Sequence, residues 1–205
     1  MSALGNVVAF DTALAPAPSA RAFNAKARGV WAWAAAAVPD DFSARRALGR
    51  WYRYGLPPAH SVEALGAALL VFVGEHDFHN FTRDRDRTVV RIDAATAGLG
   101  DGEVVLDFRG PSFRWNLVRR LVSAALRVEA GDATIEDLER ALRGRAKADL
   151  GLAPSEPLTL MDVEYDFEFD PVGDGTTAAR VESLLAERAL GTRFLEQLSD
   201  RLVSP

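Results

Sequence analysis

The alternation of apolar and polar positions along the chain predicts several of its strands. Period-two alternation marks Thr88–Asp93 and Val104–Arg109, and the Asp101-Gly102 pair between them is typical of a hairpin turn. Aromatic residues and arginines alternate within Arg46–Gly55, which places them on opposite faces of a strand. The run Asn6–Thr12 is apolar at its centre and predicts a short buried strand.

Helices are predicted where apolar residues recur every three or four positions. These segments are Ala20–Arg28, which follows a loop at residues 15–19, Ala64–Phe72, Asn116–Glu129, Thr134–Leu142 and Thr177–Leu202, the last divided into two helices at Gly191. Ser61 precedes the second of them, and Thr134 and Asp137 have the spacing of a capping box. Val30–Val38 and Leu158–Phe169 complete the set as strands.

This order of elements interleaves antiparallel hairpins with single helices. It favours an α+β sandwich of ferredoxin-like (RNP-like) type with a mixed, mainly antiparallel sheet. Sheets of that kind often leave one face open to a ligand such as RNA.

The composition is that of an ordinary globular protein, with 48% hydrophobic and 26% charged residues among 205. No apolar run reaches the length of a membrane span, and no secretory leader is apparent, so no membrane partner and a cytoplasmic location are expected. The chain has no cysteine, which excludes disulfides, thiolate metal sites and cysteine nucleophiles.

The charge of the chain gives two opposite indications. A formal net charge of −5 argues against a nucleic-acid partner. Lys26 and Lys147 are the only lysines, however, and the other 22 basic residues are arginines, whose planar fork suits phosphate. A GC-rich genome produces the same bias towards arginine, so both explanations stay open.

Two histidines form a candidate metal site, which has to be weighed against simple packing. His76 and His79 lie three positions apart beside Asp77, a spacing that metal ligands use on a helix. A third strong ligand is not apparent, and Phe78 and Phe81 favour packing, so no metal is expected. The sequence has no glycine-rich phosphate loop and no nucleophile elbow, which removes support from the common cofactor-dependent classes.

Two further features, an arginine on a helix and a pair of tyrosines on a strand, each have two interpretations. Arg119 lies at the edge of the apolar arc of its helix, where its guanidinium either turns back over the sheet or is solvated. Tyr52 and Tyr54 share one strand face, with Arg53 on the other. They form either a half-buried aromatic pair or a base-stacking platform flanked by arginines.

Ordered segments along the chain together resemble the TruA family of tRNA pseudouridine synthases, in its archaeal form. These segments are SALGNVVAFDT (2–12), VPDDFSAR (38–45) with RWYRY (50–54), GEHDFHNF (74–81), Arg87-Thr88 with Ile92, FRWNLVR (113–119) and PLTLMDVEY (157–165). Leu117 stands where the family has methionine, and Pro157 where glycine is usual. Each segment alone is weak, whereas the ordered set is specific. The resemblance spans about residues 2–169 and leaves the last two predicted helices outside it.

The resemblance implies that the protein isomerises uridine to pseudouridine in the anticodon arm of tRNA. In such enzymes the uridine is flipped into a cleft, an aspartate attacks the ribose, the glycosidic bond breaks, and the uracil rejoins through carbon 5. No metal or organic cofactor is implied. Full-length members of the family are implied to be homodimers.

The resemblance also implies roles for individual residues. Tyr52 is expected to stack on the flipped base and Arg119 to pair with the nucleophilic aspartate, which keeps that carboxylate ionised. Six further residues are expected to contact the substrate: Leu158, Tyr54 and Phe78 at the base, and Arg45, Arg53 and Arg87 along the RNA backbone.

This chain departs from the family pattern at the nucleophile motif, R-T-D-x-G-V. The motif aligns ahead of residue 1, with Met1 at the position of its valine. The motif position of Asp11 differs, so Asp11 is not expected to replace the missing aspartate. We therefore expect that a GUG valine codon is read as the start and that the chain is inactive by itself. An unpaired sheet edge and uncovered apolar surface near Val7–Phe10 would then favour self-association.

The expected domains are a remnant of the N-terminal synthase domain at residues 1–57, a C-terminal α/β domain at 58–170 and a helical extension at 171–205. The first part of the N-terminal domain is expected to be missing. Two other functions stay open: a non-catalytic RNA-binding module of the same fold, and a small α+β protein with a purely structural role.

Overall fold

A five-stranded sheet forms the centre of the larger of two compact units. The computed structural model describes residues 1–144 and 147–203. In spatial order the strands are β1 (Ser2–Ala3), β8 (Leu158–Glu164), β3 (Gly49–Leu56), β7 (Val104–Gly110) and β6 (Ala94–Leu99). The two-residue β1 runs parallel to β8, and the other pairs in this sheet are antiparallel. The predicted α+β architecture with a mixed, mainly antiparallel sheet is confirmed.

The main apolar core lies on one side of this sheet. Helix α2 (Val62–Leu70) packs against β6 and against helix α3 (Leu117–Glu129). Core residues that are 1% exposed or less come from the strands and from both helices: Tyr54, Leu106, Phe108, Leu65 and Leu121. Because side chains alternate along a strand, the even-numbered positions of β3 face this core and the odd-numbered positions face the opposite side.

A smaller antiparallel pair and a further helix extend the same core. Strand β4 (Gly74–Asp77) pairs with β5 (Val89–Ile92), and a 3₁₀ turn at His79–Phe81 follows β4. Helix α4 (Ile135–Arg143) packs against β4 and that turn.

The second unit is built from two distant parts of the chain, Phe10–Phe42 and the residues from Phe167 onward, whereas the first comprises Met1–Ala9 and Ser43–Asp166. The elements of the second unit are α1 (Pro16–Lys26), the pair of β2 (Ala34–Ala35) with β9 (Asp170–Pro171), and α5 (Gly175–Val203).

These units do not follow the expected domain boundaries at residues 57 and 170. Strand β3 lies between β8 and β7 in the large sheet, so residues 49–57 belong with the segment that follows them. Arg180 of α5 donates hydrogen bonds to the carbonyls of Asn24 and Ala27, at 2.9 and 3.1 Å, which ties the tail to residues 10–42.

Helix ends predicted from polar caps are confirmed. Ser61 Oγ accepts a 3.2 Å hydrogen bond from the Ala64 amide at the start of α2. Thr134 and Asp137 form the reciprocal capping box of α4. Gly131 has a φ of +79° just after α3, a left-handed conformation that glycine adopts without strain.

The predicted hairpin has the right turn but the wrong first strand. The partner of β7 is β6, not Thr88–Asp93, whose strand β5 pairs with β4 instead. Strand β6 reads AATAGL and has little alternation or β-propensity, so no local pattern predicts it as a strand. Its small residues are explained by the approach of α2, because a Cβ atom on Gly66 would lie 4.0 Å from that of Ala97.

The prediction of a buried strand at Asn6–Thr12 is wrong. Only Ser2–Ala3 pairs with β8, and Leu4, Val8 and Phe10 are 62%, 72% and 62% exposed. An apolar run does not become a strand unless a neighbouring strand takes up its backbone hydrogen bonds.

Other element boundaries also differ from the predictions. Helix α1 already begins at Pro16, since proline suits the first helical position. Val30–Val38 contains only the two-residue β2, and the strand predicted at Leu158–Phe169 ends at Glu164. The tail is one helix that continues through Gly191, because a single glycine weakens a helix without ending it. Within the described ranges, no helix has the length and apolarity needed to cross a membrane.

Candidate functional site

An open cleft of about 200 Å³ lies beside β3 and β8 in the larger unit. Its lining comprises strand residues and the first residues of the chain: Met1, Ala3, Asn6, Val7, Ala44, Arg50, Tyr52, Leu160, Val163 and Tyr165. Tyr52 and Leu160 are register partners across the two strands. Arg50 is the one charged side chain among these lining residues.

Tyr52 lies in this cleft, on the same side of β3 as the core residue Tyr54. The ring of Phe113 packs edge-on against it, with 5.1 Å between ring centroids and 75° between ring planes. Burial raises the pKa of Tyr52 above its ordinary value, and the nearby charge of Arg50 opposes that rise. The phenol is therefore protonated at neutral pH, and it combines an aromatic surface with a hydroxyl donor.

Arg50 supplies positive charge to the cleft without a carboxylate partner. Its guanidinium donates hydrogen bonds to the carbonyls of Pro111 at 2.5 Å and Arg45 at 3.2 Å. Burial raises the pKa of Tyr165 above its ordinary value, and the nearby charge of Arg50 opposes that rise. The Tyr165 hydroxyl donates a hydrogen bond to the carbonyl of Ala44 at 2.7 Å. Within the described part of the chain no salt bridge neutralises Arg50, so its charge is available to an anion.

Arg119 is held in place in the same way. Its Nε donates to the carbonyl of Ala153 at 2.7 Å, and one terminal nitrogen donates to Oδ1 of Asn116 at 3.3 Å. Both acceptors are neutral, and no carboxylate pairs with Arg119 among residues 1–144 and 147–203. Of the two interpretations of Arg119, the structure therefore favours a guanidinium turned back onto the protein.

The β7–α3 loop, residues 111–116, connects these side chains. It provides the Pro111 carbonyl to Arg50, the Phe113 ring to Tyr52 and the Asn116 side chain to Arg119. Asn116 has a φ of +60°, a left-handed conformation that asparagine tolerates better than most residues, and α3 begins directly after it. The loop thus contacts Tyr52 and two unneutralised arginines, of which Arg50 lines the cleft and Arg119 does not.

The three residues expected to contact the base lie in the core. Phe78 is fully buried between Phe72 and Phe81, and Leu158 is 4% exposed. Tyr54 is 1% exposed, and its hydroxyl donates to the carbonyl of Pro154 at 3.1 Å. None of the three lines the cleft, so their contact with a base stays a prediction that this geometry does not support.

Arg53 faces the opposite side of the sheet, where a carboxylate neutralises it. Its Nε and Nη donate to the two oxygens of Asp107 at 2.9 and 2.8 Å. Trp51 Nε1 donates to the same carboxylate at 2.6 Å, and the guanidinium of Arg109 lies 4.1 Å from the centroid of the Trp51 ring. Burial alone would raise the pKa of Asp107, but the hydrogen bonds from Arg53 and Trp51 bring that pKa below its ordinary value.

The other two arginines expected at the RNA backbone are exposed. Arg45 lies close to the cleft, because its carbonyl accepts the hydrogen bond from Arg50. Arg87 precedes β5 and has a φ of +53°. Their contact with RNA stays a prediction.

The two histidines of the possible metal site have protein partners instead. His76 Nε2 is 3.0 Å from the Val73 carbonyl, and His79 Nε2 is 2.9 Å from Nδ2 of Asn80. In the described ranges, no group of three histidine or acidic side chains is arranged to hold a metal ion.

The sequence indicated Arg50 only as one of the arginines that flank the two tyrosines of β3, and it did not single out Leu160 or Tyr165. The alternation of β8 carried a signal for Leu160, since it shares a strand face with Leu158 and lies directly opposite Tyr52. Tyr165 lies beyond the end of β8, and no local pattern indicates that it turns back to Ala44.

Comparisons with known proteins match this chain to a family. A family model described as tRNA pseudouridine synthase matches residues 68–166. A tRNA pseudouridine synthase A from Methanococcoides burtonii is 34% identical over 210 residues, covering 98% of this chain and 75% of the relative. The chain belongs to the tRNA pseudouridine synthase family.

Further synthases of this family show the same similarity. The tRNA pseudouridine synthase A of Methanothrix thermoacetophila is 38% identical over 197 residues, which cover 92% of this chain and 72% of the relative. That of Thermococcus sibiricus is 37% identical over 180 residues, which cover 83% and 66%. The resemblance stated from sequence motifs is confirmed. Because the Methanococcoides alignment covers 98% of the chain, the prediction that the tail lies outside the resemblance is wrong.

Proposed function

We propose that this chain binds tRNA and forms most of a pseudouridine synthase site that isomerises uridine in the anticodon arm. The observation that carries this proposal is the setting of Arg119, whose guanidinium is fixed by the neutral Ala153 carbonyl and Asn116 amide. A half-buried cation without an anion is unfavourable, so an anion that pairs with it offsets that cost. In the proposed reaction that partner is the nucleophilic carboxylate.

Tyr52 is the proposed stacking residue for the flipped uridine. Its ring lies in the cleft, and Phe113 supports it from one side at 5.1 Å between centroids. The raised pKa, caused first by burial, keeps its hydroxyl protonated, so the side chain acts on the uracil as a neutral donor and aromatic surface. Arg50, next to it, provides a positive charge for a phosphate of the target nucleotide.

The described residues leave one catalytic component unaccounted for. None of the cleft-lining residues carries a carboxylate, and Asp11 is exposed and belongs to the other unit. We infer that the nucleophile is an aspartate outside these 205 residues, and that the 205-residue polypeptide by itself binds tRNA without turnover. Met1 lines the cleft together with Tyr52, so a residue joined ahead of it would be close to the reaction site.

The decisive experiment compares two polypeptides in a pseudouridylation assay on tRNA. One is the 205-residue chain, and the other is extended at its N-terminus by an in-frame segment carrying the Arg-Thr-Asp motif. Pseudouridines are mapped by carbodiimide labelling and reverse transcription. We expect activity from the extended polypeptide only, at anticodon-arm positions, and no activity when its motif aspartate is changed to asparagine.

Three results would contradict this proposal. Turnover by the 205-residue chain would disprove the missing nucleophile. Modification confined to positions outside the anticodon arm would disprove the substrate assignment. An upstream reading frame that closes without encoding Arg-Thr-Asp would remove the proposed source of the aspartate.

A non-catalytic RNA-binding module is the second candidate function. The absence of a carboxylate from the cleft lining favours it. This candidate predicts tRNA binding by both polypeptides and turnover by neither. A purely structural protein would show no tRNA binding in a filter-binding assay.

Arg45 and Arg87 are the proposed contacts to the tRNA backbone, since both are exposed. Arg53 was expected to join them, but Asp107 already neutralises its charge, so we propose a smaller contribution from it. We also propose that the extended polypeptide is a homodimer. Sedimentation equilibrium of that polypeptide tests this, and a monomer at micromolar concentration would contradict it.

A further inference from the structure

Trp115 projects from the β7–α3 loop with 63% of its surface exposed. The guanidinium of Arg83 lies over its ring, 5.8 Å from the ring centroid, which is a cation–π distance. Most of the aromatic surface nevertheless remains open to solvent. An exposed tryptophan beside arginines is the combination that binds unstacked nucleobases.

The backbone around Trp115 is fixed by hydrogen bonds to the segment that carries Arg83. The Trp115 amide donates to Oδ2 of Asp84 at 3.3 Å, and its carbonyl accepts from Oγ1 of Thr82 at 3.2 Å. Thr82 Oγ1 also accepts from the Asp84 amide at 3.1 Å, and Thr82 is only 7% exposed. A ligand that stacks on Trp115 therefore does not have to order a mobile loop.

The charges around this platform suit a phosphate backbone. Arg83, Arg85 and Arg87 are exposed and alternate with Asp84 and Asp86. Three arginines against two aspartates leave this segment with an excess of one positive charge. Beside Trp115, Arg114 has a buried Nε that finds no hydrogen-bond partner in the described ranges.

The position of the platform relates it to the proposed reaction. Phe113 contacts Tyr52, and Asn116 accepts from Arg119, so the loop that carries Trp115 also supports both proposed catalytic residues. We propose that Trp115 and Arg83 stack against an unpaired tRNA nucleotide that neighbours the flipped uridine, and that they position the tRNA on the cleft. This inference rests on the proposed function.

Filter binding with the 205-residue chain and unmodified tRNA tests the proposal without requiring turnover. Base–aromatic stacking of about 1–3 kcal/mol corresponds to about 5- to 150-fold in affinity, so Trp115→Ala should weaken tRNA binding by that factor. Trp115→Phe retains an aromatic face and should stay within about threefold of the unchanged chain. Trp33→Ala removes a tryptophan that is 59% exposed in the other unit, and should leave the affinity unchanged.

Tryptophan fluorescence supplies a second measurement that does not depend on a truncated side chain. An anticodon stem-loop RNA should quench the unchanged chain more than Trp115→Phe, and a fully paired duplex should not produce this difference. Arg83→Gln should bind the stem-loop about two- to fivefold more weakly. Thermal melts of each variant identify any loss of folding.

The outcomes separate this inference from the proposed function. Clear tRNA binding by the unchanged chain with equal affinity of Trp115→Ala would support the function and overturn the stacking platform. Equal quenching by duplex and stem-loop would also overturn it, because it would indicate backbone contact only. Failure of the unchanged chain to bind tRNA would overturn both.

Discussion

The two sides of strand β3 carry the same kinds of residue but differ in what neutralises them. On the side opposite the core, Trp51, Arg53, Asp107 and Arg109 form a cluster in which one carboxylate takes three hydrogen bonds from its neighbours. On the cleft side, Arg50 lies next to Tyr52, and within the described ranges its guanidinium donates only to main-chain carbonyls. In the first cluster the charge of Arg53 is neutralised by Asp107, whereas on the cleft side the charge of Arg50 is available to a ligand.

This difference shows that aromatic and basic residues do not by themselves mark a binding site. Positive charge paired with a carboxylate contributes to folding and little to an incoming anion. Positive charge held by carbonyls is positioned without being cancelled. The partner of each arginine, rather than the arginine itself, therefore separates the candidate site from the opposite face.

The largest expected difference between the two sides is in catalysis. In the active, extended polypeptide, Arg119→Ala should lower kcat/KM by at least about 100-fold, because it removes the cation proposed to pair with the nucleophilic aspartate, and loss of one partner of a buried ion pair costs about 3–5 kcal/mol. Arg109→Ala, on the opposite face, should change kcat/KM by less than about threefold. Equal losses in the two variants would contradict the distinction between the sides.

The second difference is in stability. Asp107→Ala should lower the free energy of unfolding by about 2–3 kcal/mol in urea titration, because it leaves Arg53 and Trp51 without their acceptor. The Asp107 and Arg53 side chains are only 22% and 34% exposed. Asp93→Ala is the matched control, since its pair with Arg91 is 41% and 66% exposed and should contribute less than about 1 kcal/mol. A loss for Asp107→Ala no greater than that of the control would show that the cluster is not structural.

A smaller difference is expected in the salt dependence of tRNA binding. Arg45→Gln and Arg87→Gln should each reduce the slope of log affinity against log salt by about 0.7–0.9, the loss of one phosphate contact. Arg53→Gln should change the slope less, because Asp107 already neutralises that guanidinium. Arg87 has a positive φ, and glutamine, like arginine, has a Cβ atom, so the substitution does not relieve the backbone strain at this position. The same slope change in all three variants would remove the proposed ranking.

The smallest expected effect is on the pH dependence of stability. The hydrogen bonds to Asp107 hold its pKa below the ordinary value, despite the opposing effect of burial. Its contribution is therefore fully present above the unfolded-state pKa of about 3.9 and is lost as pH falls through the lower folded-state value. Asp107→Asn should show a shallower loss of stability between about pH 5 and pH 3. If the free energy of unfolding fell equally with pH in Asp107→Asn and in the unchanged chain, the lowered pKa of Asp107 would be contradicted.

Much of the fold could be predicted because it follows from local rules. The caps at Ser61 and Thr134 satisfy helix N–H groups within three residues, so a short stretch of sequence contains the whole signal. The alternation of β3 is equally local. The small-residue strand β6 could not be recognised in this way, because its alanines and glycine are set by the approach of α2.

The candidate site was predictable only in part. Tyr52 and Arg119 were identified from ordered motifs, but the role of Arg50 depends on carbonyls at Arg45 and Pro111 that no short pattern contains. Tyr54, Phe78 and Leu158 carry the same motifs and are nevertheless core residues. A motif records which residues recur together, and it does not distinguish those that touch a ligand from those that support them.

The sequence by itself therefore determined the strand faces and the helix caps, which depend on residues close together in the chain, and the family, which depends on an ordered set of short motifs. Only the tertiary structure decided which arginine is neutralised. Arg53 meets Asp107 across 54 positions, and Arg119 meets the Ala153 carbonyl across 34. Such pairings depend on the register between distant segments, which packing of the whole unit fixes and local sequence does not.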